Sequence, residues 1–511
     1  LSAPGRPADG EPVRALDAVE AAIEGVPGAV SLAPGSPVPA LGGGLLLPAR
    51  PDPGGSVPAR VDPGSVRAGL VQAGPLALAG LVVNGANVVV TIILARLLST
   101  RGYGQLAQLT GLFLIISMPG SALVVAVVRR VTAWRAEGQG HRVVDWSRRL
   151  HGQGVLAVLA FAVITVAVGP AAARALGQHH PVGVEAMAVA GAVWVLLSFD
   201  RGLLQAHRNY RDLAGNIVLE GASRTVGMLV LGAAFGVIGV TVGFLCAEVI
   251  TAVQVRVRAD RTWAAEAGCP EPGPGAGRPG RLGPVWTALT GGLRRGRRVG
   301  GSAPWTAERR TVVHDLLAAL GAMALLALLQ NIDVIVFGRF SPHLSGSYAA
   351  VSVSCKAIVF GAIALGGYLL PEAAIRWHEG GHALRQLAVT LLLLAVPALG
   401  LVVVALFYPH LVFTLVFSAR YLGAQSAFAP LVLAMIALSV TVVLTMYLLA
   451  VGCRWVTAVL AVGGVAATVA MVQANGVPRA TARADLVVQL ALVVAVAGLF
   501  VLVHRKRWRS G

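Results

Sequence analysis

The chain is predicted to be an all-α, polytopic membrane protein, with about twelve transmembrane helices in two parallel-repeat six-helix bundles around a central cavity. Three observations lead there. About twelve apolar stretches, each near twenty residues, fill the chain from Leu76 to Val503. A hydrocarbon core of about 30 Å takes roughly 20 helical residues to cross, so each stretch can span once. The composition, 56% hydrophobic and 13% charged over 511 residues, makes lipid the main solvent. A basic, Gly/Pro-rich segment then divides six spans from six.

Residues 1–67 are rich in Pro, Gly and Ala, with breaker clusters such as Pro51-Asp52-Pro53-Gly54-Gly55. They read as a disordered cytoplasmic tail. The tail lacks the ordered charged, apolar and cleavage regions of a signal peptide, and Leu1 points to an altered or truncated start. The N-terminal bundle is expected at 68–255, with spans near 76–98, 107–128, 155–171, 184–204, 217–235 and 237–255. The linker follows at 256–311, marked by its Gly/Pro run 272–284 and by Arg294-Arg295-Gly296-Arg297-Arg298. The C-terminal bundle is expected at 312–504, with spans near 313–337, 348–370, 387–408, 431–450, 456–474 and 486–503, before a basic tail at 505–511.

Sidedness comes from arginine and lysine. With the amino end inside, and the long linker left out, sixteen Lys/Arg fall on inner segments: Arg129, Arg130, Arg135, Arg142, Arg148, Arg149, Arg201, Arg208, Arg211, Arg376, Arg385, Arg454, Arg505, Lys506, Arg507 and Arg509. Seven fall outside: Arg96, Arg101, Arg174, Arg339, Arg420, Arg479 and Arg483. The positive-inside rule therefore predicts a multi-pass protein of the cell inner (plasma) membrane with both termini cytoplasmic. The net charge of +18 belongs to these loops, and without an aromatic-interleaved basic surface no nucleic-acid partner is expected. Cys246, Cys269, Cys355 and Cys453 show no CxxC spacing, which argues against a disulfide framework.

The halves resemble each other locally. Arg96 is followed by Gly104-Gln105-Leu106-Ala107 and Arg339 by Gly346-Ser347-Tyr348-Ala349, each joining the first span of its half to the second. Both first spans carry polar residues near the outer end, Asn84 and Asn87 in one, Asn331 and Asp333 in the other. Halves that start on the same side make a parallel repeat.

Ionisable groups inside spans are costly and normally face a bundle interior or a wet cavity. Asp333 and Lys356 lie at comparable depths on adjacent antiparallel spans and can meet. They form either a static ion pair or a working one, in which Lys356 contacts an anionic substrate group and Asp333 takes a proton or cation. Glu220 and Arg224, four residues apart, share a helical face and can pair. Glu248 sits deeper, without an obvious local partner, either protonated in an apolar setting or facing the cavity.

His378-Glu379-Gly380-Gly381-His382 matches the zinc-protease pattern HExxH. Its two glycines disfavour the required helix by about 2 kcal/mol relative to alanine, and no third ligand follows. No metal or cofactor is expected. His179-His180 reads as a solvated outer-loop pair, and no phosphate-cradling loop with its lysine appears. The chain is expected to be no enzyme, and any energy must come from an ion gradient, the membrane potential or the substrate's own gradient.

The chain resembles the polysaccharide/oligosaccharide flippases of the multidrug/oligosaccharidyl-lipid/polysaccharide exporter superfamily over about 70–504. Ala95-Arg96-Leu97-Leu98 through Gly102-Tyr103-Gly104-Gln105 carries this resemblance, with Asn331-Ile332-Asp333-Val334, Gly346-Ser347-Tyr348-Ala349-Ala350 with Lys356, and Gly202-Leu203-Leu204-Gln205 ahead of Glu220 and Arg224. It implies two six-helix bundles facing a central cleft and alternating access that moves lipid-linked sugars between leaflets. The implied substrate is a polyprenyl-diphosphate-linked oligosaccharide, and the implied partners are membrane lipids, a polysaccharide polymerase and glycosyltransferases. Few arginines lie within the spans, so Arg129, Arg201 and Arg376 at inner span ends are expected to supply the basic ring at the cytoplasmic mouth. An ion-coupled multidrug or small-cation exporter and a lipid-linked peptidoglycan precursor flippase are the alternative functions. The first would rely on Asp333 and Glu248; relatives of the second commonly carry extra spans, which are not visible here.

Overall fold

A computed structural model of the chain describes residues 63–136, 141–178, 180–266, 307–378 and 384–510, and all of its regular structure there is helical. The tail expected at 1–67 therefore lies almost wholly outside the described residues, as does most of the linker. In the N-terminal half the helices are α1 (Pro63–Leu97), α2 (Thr100–Ser117), α3 (Pro119–Ala136), α4 (His141–Leu176), α5 (Pro181–Ala206) and α6 (Tyr210–Glu266). In the C-terminal half they are α7 (Ala307–Phe340), α8 (Ser345–His378), α9 (Leu384–Phe407), α10 (Pro409–Val412), α11 (Phe428–Ala450), α12 (Trp455–Gln473) and α13 (Pro478–Ser510).

Local chemistry sets many of the boundaries. Ser99 caps α2, its hydroxyl accepting from the Gly102 amide at 3.0 Å. Proline, pre-set for a first helical turn, opens α3, α5, α10 and α13. α2 and α3 together form the second span, bent where Met118-Pro119 interrupts them.

Among the described residues, eleven helical stretches are long and apolar enough to cross a bilayer. One of them, Tyr210–Trp263, has 54 residues, enough for two crossings of roughly 20 residues each. Gly236, at φ 61° and ψ −138°, breaks it. A side chain would be strained in that backbone, and glycine accepts it. The arms return on each other as an antiparallel hairpin, since Asn216 on the first donates to the Thr251 carbonyl on the second at 3.1 Å. Twelve crossings result, six in each half. The sixth extends as helix through Glu266, with Val255, Ala259 and Trp263 buried, so 256–263 packs with the N-terminal bundle rather than lying in the linker.

The halves meet at one end of the molecule, here termed the closed end. It carries the α1/α2 turn, the α7/α8 turn and the irregular segment before α11. Gly104 of α2 and Gly346 of α8 meet there backbone to backbone: a Cβ on Gly104 would stand 2.5 Å from the Gly346 nitrogen. Gln108 of α2 donates to the Ile335 carbonyl of α7 at 3.0 Å and accepts from Gln178 at 2.8 Å.

Away from that end the halves separate along α1 and α8. Ala95 of α1 is fully buried under the C-terminal half, whereas Asn84, eleven residues and about three turns away on the same face, is exposed. Thr91 between them is half-buried and Val88 is 61% exposed. α8 repeats the gradient: Gly346 is buried against Thr100, whereas Val353, Ala357, Phe360 and Ala364 on the same stripe are exposed. Along both stripes the cover given by the opposite half is therefore lost away from the seal.

Candidate functional site

The C-terminal bundle buries a charged cluster built from α7, α8 and α13. Asp333 is fully buried on α7; Ser352 of α8 donates to its Oδ2 at 2.8 Å, and Lys356 Nζ lies 3.6 Å from its Oδ1. Lys356 also donates to Asn331 Oδ1 at 3.1 Å, and Asn331 Nδ2 returns to the Ala327 carbonyl at 2.8 Å. Asn331 stands at the division between the halves, since a Cβ on Gly111 of α2 would meet it at 3.2 Å. The lysine is thus one hydrogen bond from the helix of the opposite half.

A second carboxylate joins them, and sequence reasoning missed it. Asp485, fully buried on α13, interacts electrostatically with Asp333 and Lys356, and its Oδ1 accepts from Gln489 at 3.1 Å. A twelfth span near 486–503 leaves Asp485 in an outer loop. Pro478 at the true helix start and the four-residue spacing of Asp485 and Gln489 were the signals that place both on one buried face. Asp485 Oδ2, Gln489 Oε1 and Tyr348 Oη are buried without a hydrogen-bond partner. Such groups are costly to leave unpaired, so the cluster is suited to taking up a proton or a cation.

The N-terminal bundle holds a longer chain of charges on α5 and α6. Arg201 donates to Asn216 Oδ1 at 2.8 Å and to Glu220 Oε2 at 2.5 Å. Arg224 bonds the other Glu220 oxygen and reaches across the hairpin to Glu248. Glu248 therefore has the partner that its own helix does not supply, and Arg201 is a member of this chain rather than of a ring at the mouth. Arg224 also lies 4.4 Å from the ring centre of Phe244, a cation–π contact. Two arginines and two glutamates balance in charge, which is how four such groups can stay buried.

A third cluster, also unforeseen, ties α4, α5 and α6. Asp200 is fully buried between His151, 3.0 Å away, and Arg256, 3.1 Å away, and Arg256 continues to Asp260 at 2.7 Å.

The other expected site residues disperse. Asn84 is exposed on the face of α1 that diverges from the C-terminal half, and Asn87 is half-buried. Arg129 is half-exposed on α3. Arg376 lies on α8, its side chain outside the described residues, and of the zinc-protease pattern only His378 falls within a described helix. His180 is exposed just before α5 and His179 lies outside the described residues.

Residues 72–269, the N-terminal bundle, match the family model described as polysaccharide biosynthesis protein. No curated protein matches the chain significantly. Among solved structures, a mutant of the Vibrio cholerae MATE transporter VcmN is 14% identical with a TM-score of 0.52, covering 86% of this chain and 96% of its own. A MOP superfamily transporter from Pyrococcus furiosus, described as having a binding pocket of reverse polarity that suggests a different function, is 14% identical with a TM-score of 0.52, covering 84% of this chain and 93% of its own. An outward-facing multidrug resistance MATE family transporter of the MOP superfamily is 14% identical with a TM-score of 0.51, covering 85% and 94%. At such identities the likeness is one of fold, and it extends over both halves. The polysaccharide-biosynthesis match therefore covers the N-terminal half, and the fold of the whole described chain is similar to that of these MOP superfamily transporters.

Proposed function

We propose that this membrane transporter flips lipid-linked oligosaccharide or polysaccharide precursors across the cytoplasmic membrane by alternating access. The observation that carries the reading is the pair of exposure gradients along α1 and α8, which leave the central space sealed at one end and open toward the other. A cargo with a polar head and an apolar tail suits such a space. The head can occupy the gap while the tail remains in lipid. The positive-inside rule assigns the closed end to the outside and both termini to the cytoplasm, so this state faces inward.

The cluster around Lys356 supplies the coupling. Asp333, Asp485 and Lys356, all ionised, sum to one uncompensated negative charge in a buried setting, and a proton or monovalent cation cancels it. Neutralising Asp333 frees Lys356 to meet the anionic group of the precursor, while Asn331 carries the change to α2. Arg129, and Arg376 by its place in the sequence, serve the open mouth. Family and fold point to transport rather than to catalysis.

Purified protein in liposomes, loaded with a fluorescent polyprenyl-diphosphate-linked oligosaccharide, tests the reading through a leaflet assay. Transfer by the wild type and its loss in Lys356→Met, with the variant still folded, is the expected result; wild-type transfer of drug cations with none of lipid-linked sugar overturns it.

A further inference from the structure

The seal at the closed end depends on one irregular segment of the C-terminal half. After α10 the chain forms a π turn at Phe413–Phe417 and a 3-10 helix at Ala419–Ala427 before α11 begins. Ser418, between them, sits at φ 137°, a backbone that residues with side chains rarely adopt. The departure from α-helical geometry carries Arg420 and Tyr421 across to the N-terminal half. Arg420 Nη2 donates to the Ala95 carbonyl and, at 3.0 Å, to that of Arg96. The Tyr421 hydroxyl donates to the same Ala95 carbonyl at 2.5 Å. Both carbonyls belong to the last turn of α1, where helical acceptors run out of intrahelical donors and the helix dipole favours a cation.

The rest of the contact is apolar. The Tyr421 ring, fully buried, meets the buried Tyr103 ring edge to face at 5.6 Å, with Phe417 6.4 Å from Tyr103. The segment itself is held to its own half, since a Cβ on Gly423 would press on Leu344 at 2.9 Å. Arg420 and Tyr421 thus reach from a body fixed to the α7/α8 turn and grip the end of α1.

We propose that Arg420 and Tyr421 are a releasable latch on the outer gate, holding the end of α1 in the inward-facing state and letting go when the gate opens. The inference rests on the alternating-access reading and names the groups that set its resting position. Release is physically inexpensive, because water can replace the protein partners of a guanidinium, a phenol and two terminal carbonyls once the seal parts. The strained Ser418 gives the segment a second reason to rearrange.

Cysteines introduced at Arg101, at the start of α2, and at His343, in the α7/α8 turn, both exposed at the closed end, would carry spin labels, with Cys246, Cys269 and Cys453 replaced by Ser. Distances between the labels are then read in full-length protein in lipid nanodiscs. In the unaltered latch the short distance should dominate. Arg420→Ala combined with Tyr421→Phe should enlarge the long-distance population by roughly three- to tenfold per bond lost. An unchanged distribution in a variant that elutes as folded protein overturns the latch. If the double variant does not elute as folded protein, Tyr421→Phe alone removes one hydroxyl and puts the same question. The readout needs no substrate. Unmoved labels with sugar flipping intact would sink the latch alone, and moved labels without sugar flipping would sink the substrate assignment alone.

Discussion

Gly104 and Gly346 occupy corresponding positions in the two halves and touch each other where those halves meet. Each lies in the first turns of the second span of its bundle, so the repeat noticed in the sequence is also a contact in space. A Cβ on Gly346 would run into the Thr100 backbone, which no rotamer change relieves. We expect Gly346→Ala to cost about 1–3 kcal/mol in the sealed state. Thermal unfolding in detergent would register this, with Gly361→Ala on the same helix as control. No atom lies within 4 Å of a Cβ there, so the control should be neutral or slightly stabilising.

Removing Lys356 alone should be worse for stability than removing it with its partner. Lys356→Met leaves Asp333 and Asp485 buried without their cation, at a cost of about 3–5 kcal/mol. Lys356→Met with Asp333→Asn should recover most of that stability and still fail to flip. Paired unfolding curves and the leaflet assay separate the two effects; flipping restored along with stability would count against a working role for the lysine.

Asp485→Asn should leave the fold intact, because the amide oxygen can still accept from Gln489. Its effect should fall on coupling. Transport by this variant is expected to lose its response to an imposed proton or sodium gradient while downhill transfer persists. Gradient-driven uptake measured with and without an ionophore would show it, and a full gradient response in the variant would remove Asp485 from the coupling machinery.

In the N-terminal bundle, Glu220 should matter more than Glu248. Glu220 divides its oxygens between Arg201 and Arg224, so Glu220→Ala leaves Arg201 without a carboxylate and Arg224 with Glu248 alone, whereas Glu248→Ala leaves both guanidinium groups paired with Glu220. Loss of a buried partner costs about 3–5 kcal/mol, and the first change should lie at the upper end of that range. Denaturation midpoints of the two variants decide the order.

The apolar stretches were enough to draw twelve crossings and to set Asp333 opposite Lys356, because depth in a membrane follows directly from residue count. The Glu220–Arg224 pair was legible for the same reason, being local to one helix. What stayed hidden depended on helices distant in sequence. Glu248 found Arg224 only through the hairpin at Gly236, and Arg201 turned inward to Glu220 because α5 packs on α6. Asp485 was lost by a boundary that placed it just outside a span when it lies two turns inside one.

By itself the sequence determined that this chain folds in lipid, in two similar halves, with few charges available for work inside it. Only the tertiary structure decided which charges share a site, where the halves touch, and that Arg420 and Tyr421 hold the end of α1. The physical reason is that burial and spacing along a helix are properties of the segment, whereas the azimuth at which helices face one another is fixed by packing among all of them.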